Sequence, residues 1–146
     1  MFKRFLALLI ICLSSASTFA QVEVASPPIP AGVSQWKKIT FRECVTNTGV
    51  AMKEKGLVLT KDRKLQKLVT SVYANGKKII ESQSDYTSSP QTSTFYIYRD
   101  DKWHKYEDGA HFKMTPELEA MVMAVMAKEF KTTPAETINL HCSAKK

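Results

Sequence analysis

The sequence predicts an α+β fold, in which an antiparallel sheet of about four to five strands packs against one long C-terminal helix and a final strand follows that helix. The sheet is predicted because two pairs of β-rich segments are each joined by residues suited to a tight turn. The helix is predicted because a broad apolar segment follows a good N-cap residue and a proline. These patterns indicate an antiparallel meander with two hairpins rather than alternating strands and helices.

The first hairpin has the clearest local pattern. Residues 64–73 are rich in β-branched and apolar side chains, Asn75 and Gly76 suit the positive φ of a two-residue turn, and residues 77–86 lead away. Upstream, residues 38–45 are predicted as a strand, although their apolar spacing also fits a helix in part. Residues 50–55 are predicted to form a short helical turn ended by Gly56, and residues 57–59 an extended piece.

The second hairpin follows a Ser- and Thr-rich loop over residues 87–94. An aromatic strand over residues 94–99 is predicted to turn at Asp100 and Asp101 and to return over residues 102–106. Neighbouring acidic residues between two strands are typical turn formers, which we favour over a general acid–base pair.

The long helix is predicted to begin at Thr115, the N-cap, with Pro116 at its first position. Acidic residues in its first turn oppose the positive end of the helix dipole, and an apolar face runs to Phe130. Thr132, Thr133 and Pro134 are predicted to end the helix, and residues 137–142 to form the last strand.

The first twenty residues have the three parts of a secretory signal peptide. Two basic residues precede a nine-residue apolar run, too short for a membrane-spanning helix, and small residues follow it up to Ala20. Cleavage after Ala20 is predicted, with cleavage after Ala16 as an alternative; lipidation of Cys12 is disfavoured because Ile11 is not a small residue. The mature chain is thus expected to be periplasmic or secreted, with a Pro-rich flexible leader over 21–35 and one globular domain over 36–146.

Charge and cysteine content limit the classes of function that this chain can have. Loss of residues 1–20 removes two basic side chains, so 19 Lys and Arg remain against 14 Asp and Glu, a net charge of +5 that favours anionic surfaces of the cell envelope over nucleic acid. In an exported chain Cys44 and Cys142 are predicted to form a disulfide. The alternative, two free thiols for redox or metal chemistry, lacks the close spacing of such sites.

No recognised catalytic or metal motif is present. His104, His111 and His141 lack the spacing of a zinc motif, and the chain has neither a nucleophile elbow nor a Ser-x-x-Lys motif. We therefore predict no catalytic residue, no metal site and no cofactor.

Two features are candidate binding surfaces. Between Lys53 and Lys78, eight basic residues stand against two acidic ones, a local charge of +6. The candidate binding residues from this stretch are Lys61, Arg63, Lys64, Lys67, Lys77 and Lys78. The alternative is that these lysines only protect a sheet edge from strand addition. The aromatic candidates are Tyr96, Tyr98 and Tyr106; Tyr96 and Tyr98 share a strand face opposite Phe95 and Ile97, and ordinary sheet packing is the alternative.

These observations predict a small exported, non-catalytic binding protein. A specific form is an inhibitor or immunity-type protein whose partner is an exported protein, and an anionic lipid headgroup or glycan is the other partner class. The alternative is a small-ligand or lipid-binding domain with an apolar pocket between sheet and helix, where Met121, Met123 and Met126 lie. A third hypothesis is a hydrolase whose histidines and carboxylates meet only on folding.

Overall fold

A computed structural model describes residues 21–108, 114–137 and 140–143. Their strands form one antiparallel sheet in the order β1-β7-β6-β5-β4-β3-β2-β8. The elements are β1 (Val22–Val24), a 3-10 turn (Val33–Gln35), β2 (Lys37–Thr46), β3 (Ala51–Lys61), β4 (Lys64–Ala74), β5 (Lys77–Asp85), β6 (Thr92–Arg99), β7 (Lys102–Asp108), α1 (Pro116–Glu129), α2 (Pro134–Thr137) and β8 (Cys142–Ser143).

The predicted antiparallel meander and its two hairpins are confirmed, but the predicted number of strands is too low. The described residues contain eight strands, six of which run as a continuous meander from β2 to β7. The turn at Asn75 and Gly76 joins β4 to β5, and the turn at Asp100 and Asp101 joins β6 to β7. All four residues have positive φ, as the tight hairpin turn requires.

The largest correction concerns β3. Residues 50–55 are predicted as a helical turn, but residues 51–55 belong to an eleven-residue strand that pairs with β2 on one side and β4 on the other. Met, Lys and Glu favour helices locally, but two flanking strands outweigh that preference. Gly56 does not end an element; it lies under the Phe41 ring, whose Cζ would stand 2.8 Å from a Cβ at this position.

The predicted C-terminal helix is confirmed in part: α1 begins after the predicted N-cap and ends at Glu129, and a second helix of four residues, α2, follows it. The Thr115 hydroxyl accepts a hydrogen bond from the Leu118 N–H at 3.3 Å, and Pro116 opens the helix. One face of α1 packs on β5 and β6. The core between helix and sheet contains Ile79, Ile80, Ile97, Tyr106, Leu118, Val122, Val125 and Phe130.

The segment over residues 21–35, for which the prolines predict a flexible leader, includes one strand and one 3-10 turn in the structure. Val22–Val24 form β1, which pairs with β7 at the edge of the sheet. Further along, the Gln83 side chain donates a 2.8 Å hydrogen bond to the Pro28 carbonyl, and Trp36 is buried. The prolines follow β1 and so do not interrupt its ladder, which is why the two valines can pair.

Cys44 and Cys142 form the predicted pair, with Cα atoms 5.3 Å apart, which is compatible with a disulfide in a small domain. The predicted final strand is only partly correct. Thr137 lies in α2, and the strand itself is the two-residue β8, which pairs with β2 at Val45 and Thr46.

The signal peptide prediction (1–20) and His111 lie outside the described residues. In the part of the chain that the structure describes, no helix is long and apolar enough to cross a bilayer.

Candidate functional site: a lysine-lined groove on the outer sheet face

The outer face, meaning the sheet face turned away from α1, carries a groove of about 420 Å³ formed by β2, β3, β4 and β5. Its lining combines cationic, apolar and hydrogen-bonding side chains. The cations are Lys38, Lys53, Lys55 and Lys78; the apolar residues are Ile39, Leu57, Val69 and Tyr73; the polar ones are Thr40, Ser71 and Glu81. We call this set the lysine groove.

Strand register brings these side chains together. Lys53 lies opposite Tyr73, and Tyr73 lies opposite Lys78 on the next strand. In the adjacent row, Lys55 lies opposite Ser71 and Ser71 opposite Glu81. Lys53 and Lys55 are two apart on β3, as Ser71 and Tyr73 are on β4, so each pair shares one face. On β5, Lys78 and Glu81 are three apart, and the register shift between Val72 and Tyr73 brings both to the outer face.

Tyr73 lines the groove and has two ammonium groups near its ring. The Lys55 Nζ is 5.1 Å from the Tyr73 ring centroid and the Lys78 Nζ is 5.8 Å from it. Both distances are within the range of a cation–π contact. The ring is therefore in contact with two of the four lysines of the groove.

Glu81 forms the floor of the groove, and its side chain is only 6% exposed. One carboxylate oxygen accepts hydrogen bonds from the Lys78 Nζ at 2.8 Å and the Ser71 hydroxyl at 3.1 Å; the other accepts one from the Gln83 amide at 2.8 Å. These three donors satisfy a charge that would be costly to bury alone.

The contact with Glu81 also determines the direction in which the pKa of Lys78 is shifted. Partial burial lowers the pKa of Lys78, but the hydrogen bond and the negative charge of Glu81 outweigh burial and raise it above its ordinary value of 10.5. Lys78 is therefore charged at neutral pH and is held in the groove by Glu81.

The remaining lysines leave the groove electropositive. The Lys53 ammonium lies 3.6 Å from the Glu43 carboxylate, whereas Lys38 and Lys55 have no acidic partner among the described residues. A second cavity of about 430 Å³ shares Lys53, Lys55 and Tyr73 and continues toward Ala51 and Gly76. An anion placed between Lys38 and Lys55 would meet two cations that no carboxylate neutralises.

The basic candidates predicted from the sequence separate into different places. Lys78 lines the groove, while the neighbouring Lys77 lies over the Tyr98 ring at 4.2 Å. The other four lie at or near the β3–β4 hairpin tip: Lys61, Arg63, Lys64, and Lys67, whose ammonium is 3.7 Å from Asp85. The predicted basic stretch is thus a groove and a hairpin tip rather than one patch.

The aromatic candidates also separate. Tyr96 is 4% exposed and Tyr106 is 2% exposed, and burial raises the pKa of both hydroxyls. Tyr106 is part of the core under α1, which leaves no surface for a partner. Tyr98 is half-buried, with its ring 5.3 Å from the Trp103 ring in an edge-to-face contact. A role of these tyrosines in binding stays a prediction, and only Tyr98 is partly accessible to a partner.

Sequence reasoning missed Lys38, Lys53, Lys55, Tyr73 and Glu81 as a group. The signal was available in Lys53 and Lys55, because residues two apart share a face on a strand but diverge on a helical turn. The mistaken helical turn therefore hid the groove.

Among the residues that the structure describes, the other predicted sites show no comparable assembly. The buried His104 ring has its Nδ1 2.7 Å from the Gln21 side-chain nitrogen, and His141 is exposed. Across the described ranges, no group of His, Cys, Asp or Glu is arranged to hold a metal ion. The alternative hypothesis places an apolar pocket between α1 and the sheet. At this place three apolar side chains are fully buried: Ile79, Ile97 and Phe130.

The lysine groove is thus a concave site with an apolar centre, a cationic rim and a satisfied buried carboxylate below it. No protein-family model, curated protein or solved structure matches this chain. Its function must therefore be inferred from the groove's geometry and chemistry.

Proposed function

We propose that this chain is an exported, non-catalytic binding protein whose lysine groove holds a small ligand with an anionic head and an apolar body. The observation that carries the proposal is that four lysines and Tyr73 line one groove, with two of the lysines in contact with the Tyr73 ring. Export is proposed from the predicted signal peptide, and the Cys44 and Cys142 pair supports it.

The charge of the groove supports an anionic head. Lys38 and Lys55 form no ion pair within the described part of the chain, and Lys78 is paired with Glu81. An ammonium group donates well to carboxylate or phosphate oxygens, and such charge-assisted hydrogen bonds are stronger than neutral ones.

The apolar lining supports an apolar body. Ile39, Leu57 and Val69 line the same cavity as the lysines, and Tyr73 adds an aromatic surface. The cavity volume of about 420 Å³ lies within the range of small-ligand sites. A ligand with both parts would bury its chain on these residues while its head stays at the cationic rim.

The test compares decanoate with decan-1-ol, which have the same alkyl chain but differ in charge, by isothermal titration calorimetry on residues 21–146. We expect decanoate to bind more tightly than the alcohol. The double substitution Lys38→Gln/Lys55→Gln should weaken decanoate binding by about 30-fold, because each partly exposed charged contact contributes about 1 kcal/mol.

The matched control is Lys61→Gln/Lys64→Gln, which removes the same charge from the β3–β4 hairpin tip outside the groove. It should leave decanoate affinity within about twofold of the wild type. Equal affinity for decanoate and decan-1-ol, or equal losses in both double variants, would overturn the assignment of the groove as the anion site.

A further inference from the structure

The β3–β4 hairpin extends beyond the rest of the sheet. Pairing of β2 with β3 ends at Val58, and pairing of β5 with β4 ends at Lys67. Beyond these points β3 and β4 pair only with each other, down to Lys61 opposite Lys64. Residues 59–65 therefore form a two-stranded projection, which we call the ribbon.

The ribbon presents cations at its tip. Lys61, Arg63 and Lys64 are exposed, and none of them forms an ion pair with a described residue. Asp62 and Arg63 form the tight turn with φ of 52° and 63°, so the chain reverses within two residues. Lysines that protect a sheet edge lie along an edge strand, whereas these lie at the end of a projection, so edge protection does not account for them.

Two exposed apolar side chains accompany these cations. Leu65 is 38% exposed on the ribbon itself. Ile29 is 83% exposed and directly precedes Pro30, which lines a cavity together with Lys67 and Asp85 at the base of the ribbon. Cationic and apolar side chains are thus exposed at the same end of the molecule.

We propose that this end of the protein docks onto a membrane surface of anionic phospholipid, as a second interaction surface separate from the lysine groove. Lys61, Arg63 and Lys64 would contact lipid phosphates, and Leu65 and Ile29 would enter the interfacial layer. Protein–protein interfaces favour aromatic residues and are depleted of lysine, whereas this tip is lysine-rich and has no aromatic residue. A membrane surface is therefore the better match than an acidic protein.

The test is co-sedimentation of residues 21–146 with vesicles of phosphatidylglycerol mixed with phosphatidylcholine, beside vesicles of phosphatidylcholine alone. We expect binding only to the anionic vesicles, weakening as salt is raised. Each cation near an anionic surface contributes about fivefold to partitioning, so Lys61→Gln/Arg63→Gln/Lys64→Gln should reduce vesicle binding by about 100-fold.

Two controls separate this proposal from the groove. Lys38→Gln/Lys55→Gln should keep vesicle binding, and the triple ribbon variant should keep decanoate binding and the wild-type urea midpoint. Wild-type binding to phosphatidylcholine alone, unchanged binding of the triple variant, or lost binding of the groove variant would each overturn the proposal. Ribbon-dependent binding to polyglutamate without any vesicle binding would also overturn it, in favour of an acidic protein partner.

Discussion

The pair formed by Lys78 and Glu81 allows a quantitative prediction, because its two members differ in burial. The Glu81 side chain is 6% exposed, whereas that of Lys78 is 32% exposed. When one partner is removed, the other is left as an uncompensated charge, and the cost depends on whether that charge can reach water.

The perturbations are Lys78→Met and Glu81→Gln, made singly and together. Lys78→Met leaves the buried Glu81 carboxylate with only Ser71 and Gln83 as donors, so we expect a loss of about 3 kcal/mol in the free energy of unfolding. Glu81→Gln leaves Lys78 free to turn toward solvent, so we expect a loss of about 1 to 2 kcal/mol. The double variant should lose less than the sum, with a coupling of at least about 1 kcal/mol.

The assay is urea unfolding at neutral pH followed by tryptophan fluorescence, since Trp36 is buried. Lys77→Met is the matched control: it removes the adjacent lysine, which lies over Tyr98 outside the groove. That change should cost less than about 1 kcal/mol. Equal losses for Lys78→Met and Glu81→Gln, or strict additivity in the double variant, would refute the reasoning from unequal burial.

The pH dependence of the same pair has a definite sign. Because the pKa of Lys78 is raised in the folded protein, its contribution to stability is complete below the unfolded value of 10.5 and is lost as the pH rises through the folded pKa. The stability difference between wild type and Lys78→Met should therefore stay constant from neutral pH to about 9 and shrink above 10.5. A difference that shrinks between pH 7 and 9 would contradict this assignment.

Three further changes test the fold by urea unfolding. Gly56→Ala should lower the free energy of unfolding by about 1 to 2 kcal/mol, because the added Cβ would meet the Phe41 ring. This cost should largely vanish in a Phe41→Ala background, and equal costs in both backgrounds would argue against that contact. Cys44→Ser/Cys142→Ser should lower the free energy of unfolding by about 4 kcal/mol, and thiol labelling of the denatured wild type without reductant would contradict the bond. Thr115→Ala should cost about 1 kcal/mol by removing the N-cap hydrogen bond, whereas Thr115→Ser should restore it.

Local chemistry explains why some elements were predictable from the sequence. Asn75 and Gly76 specify a tight turn through their tolerance of positive φ, and Thr115 with Pro116 specifies a helix start. Each of these signals acts over a few neighbouring residues, so no distant partner is needed. The turn at Asp62 and Arg63 lacks glycine and asparagine, and it was missed although its φ values are also positive.

The lysine groove was not predictable in the same way, because its residues converge only through strand register. Lys53, Tyr73 and Lys78 come from three strands, and their neighbourhood depends on β3 being a strand although its residues favour a helix locally. Once β3 is placed between β2 and β4, alternation alone puts Lys53 and Lys55 on one face.

By itself the sequence determined the two hairpins, the start of α1, the cysteine pairing and the positive charge of the stretch from Lys53 to Lys78, since each follows from short-range residue preferences or from counting. The tertiary structure alone decided that this charge divides between a groove and a projecting ribbon, and that Tyr96 and Tyr106 are buried. The physical reason is that burial and the approach of distant side chains depend on which strands pair, and pairing is settled by the packing of the whole sheet.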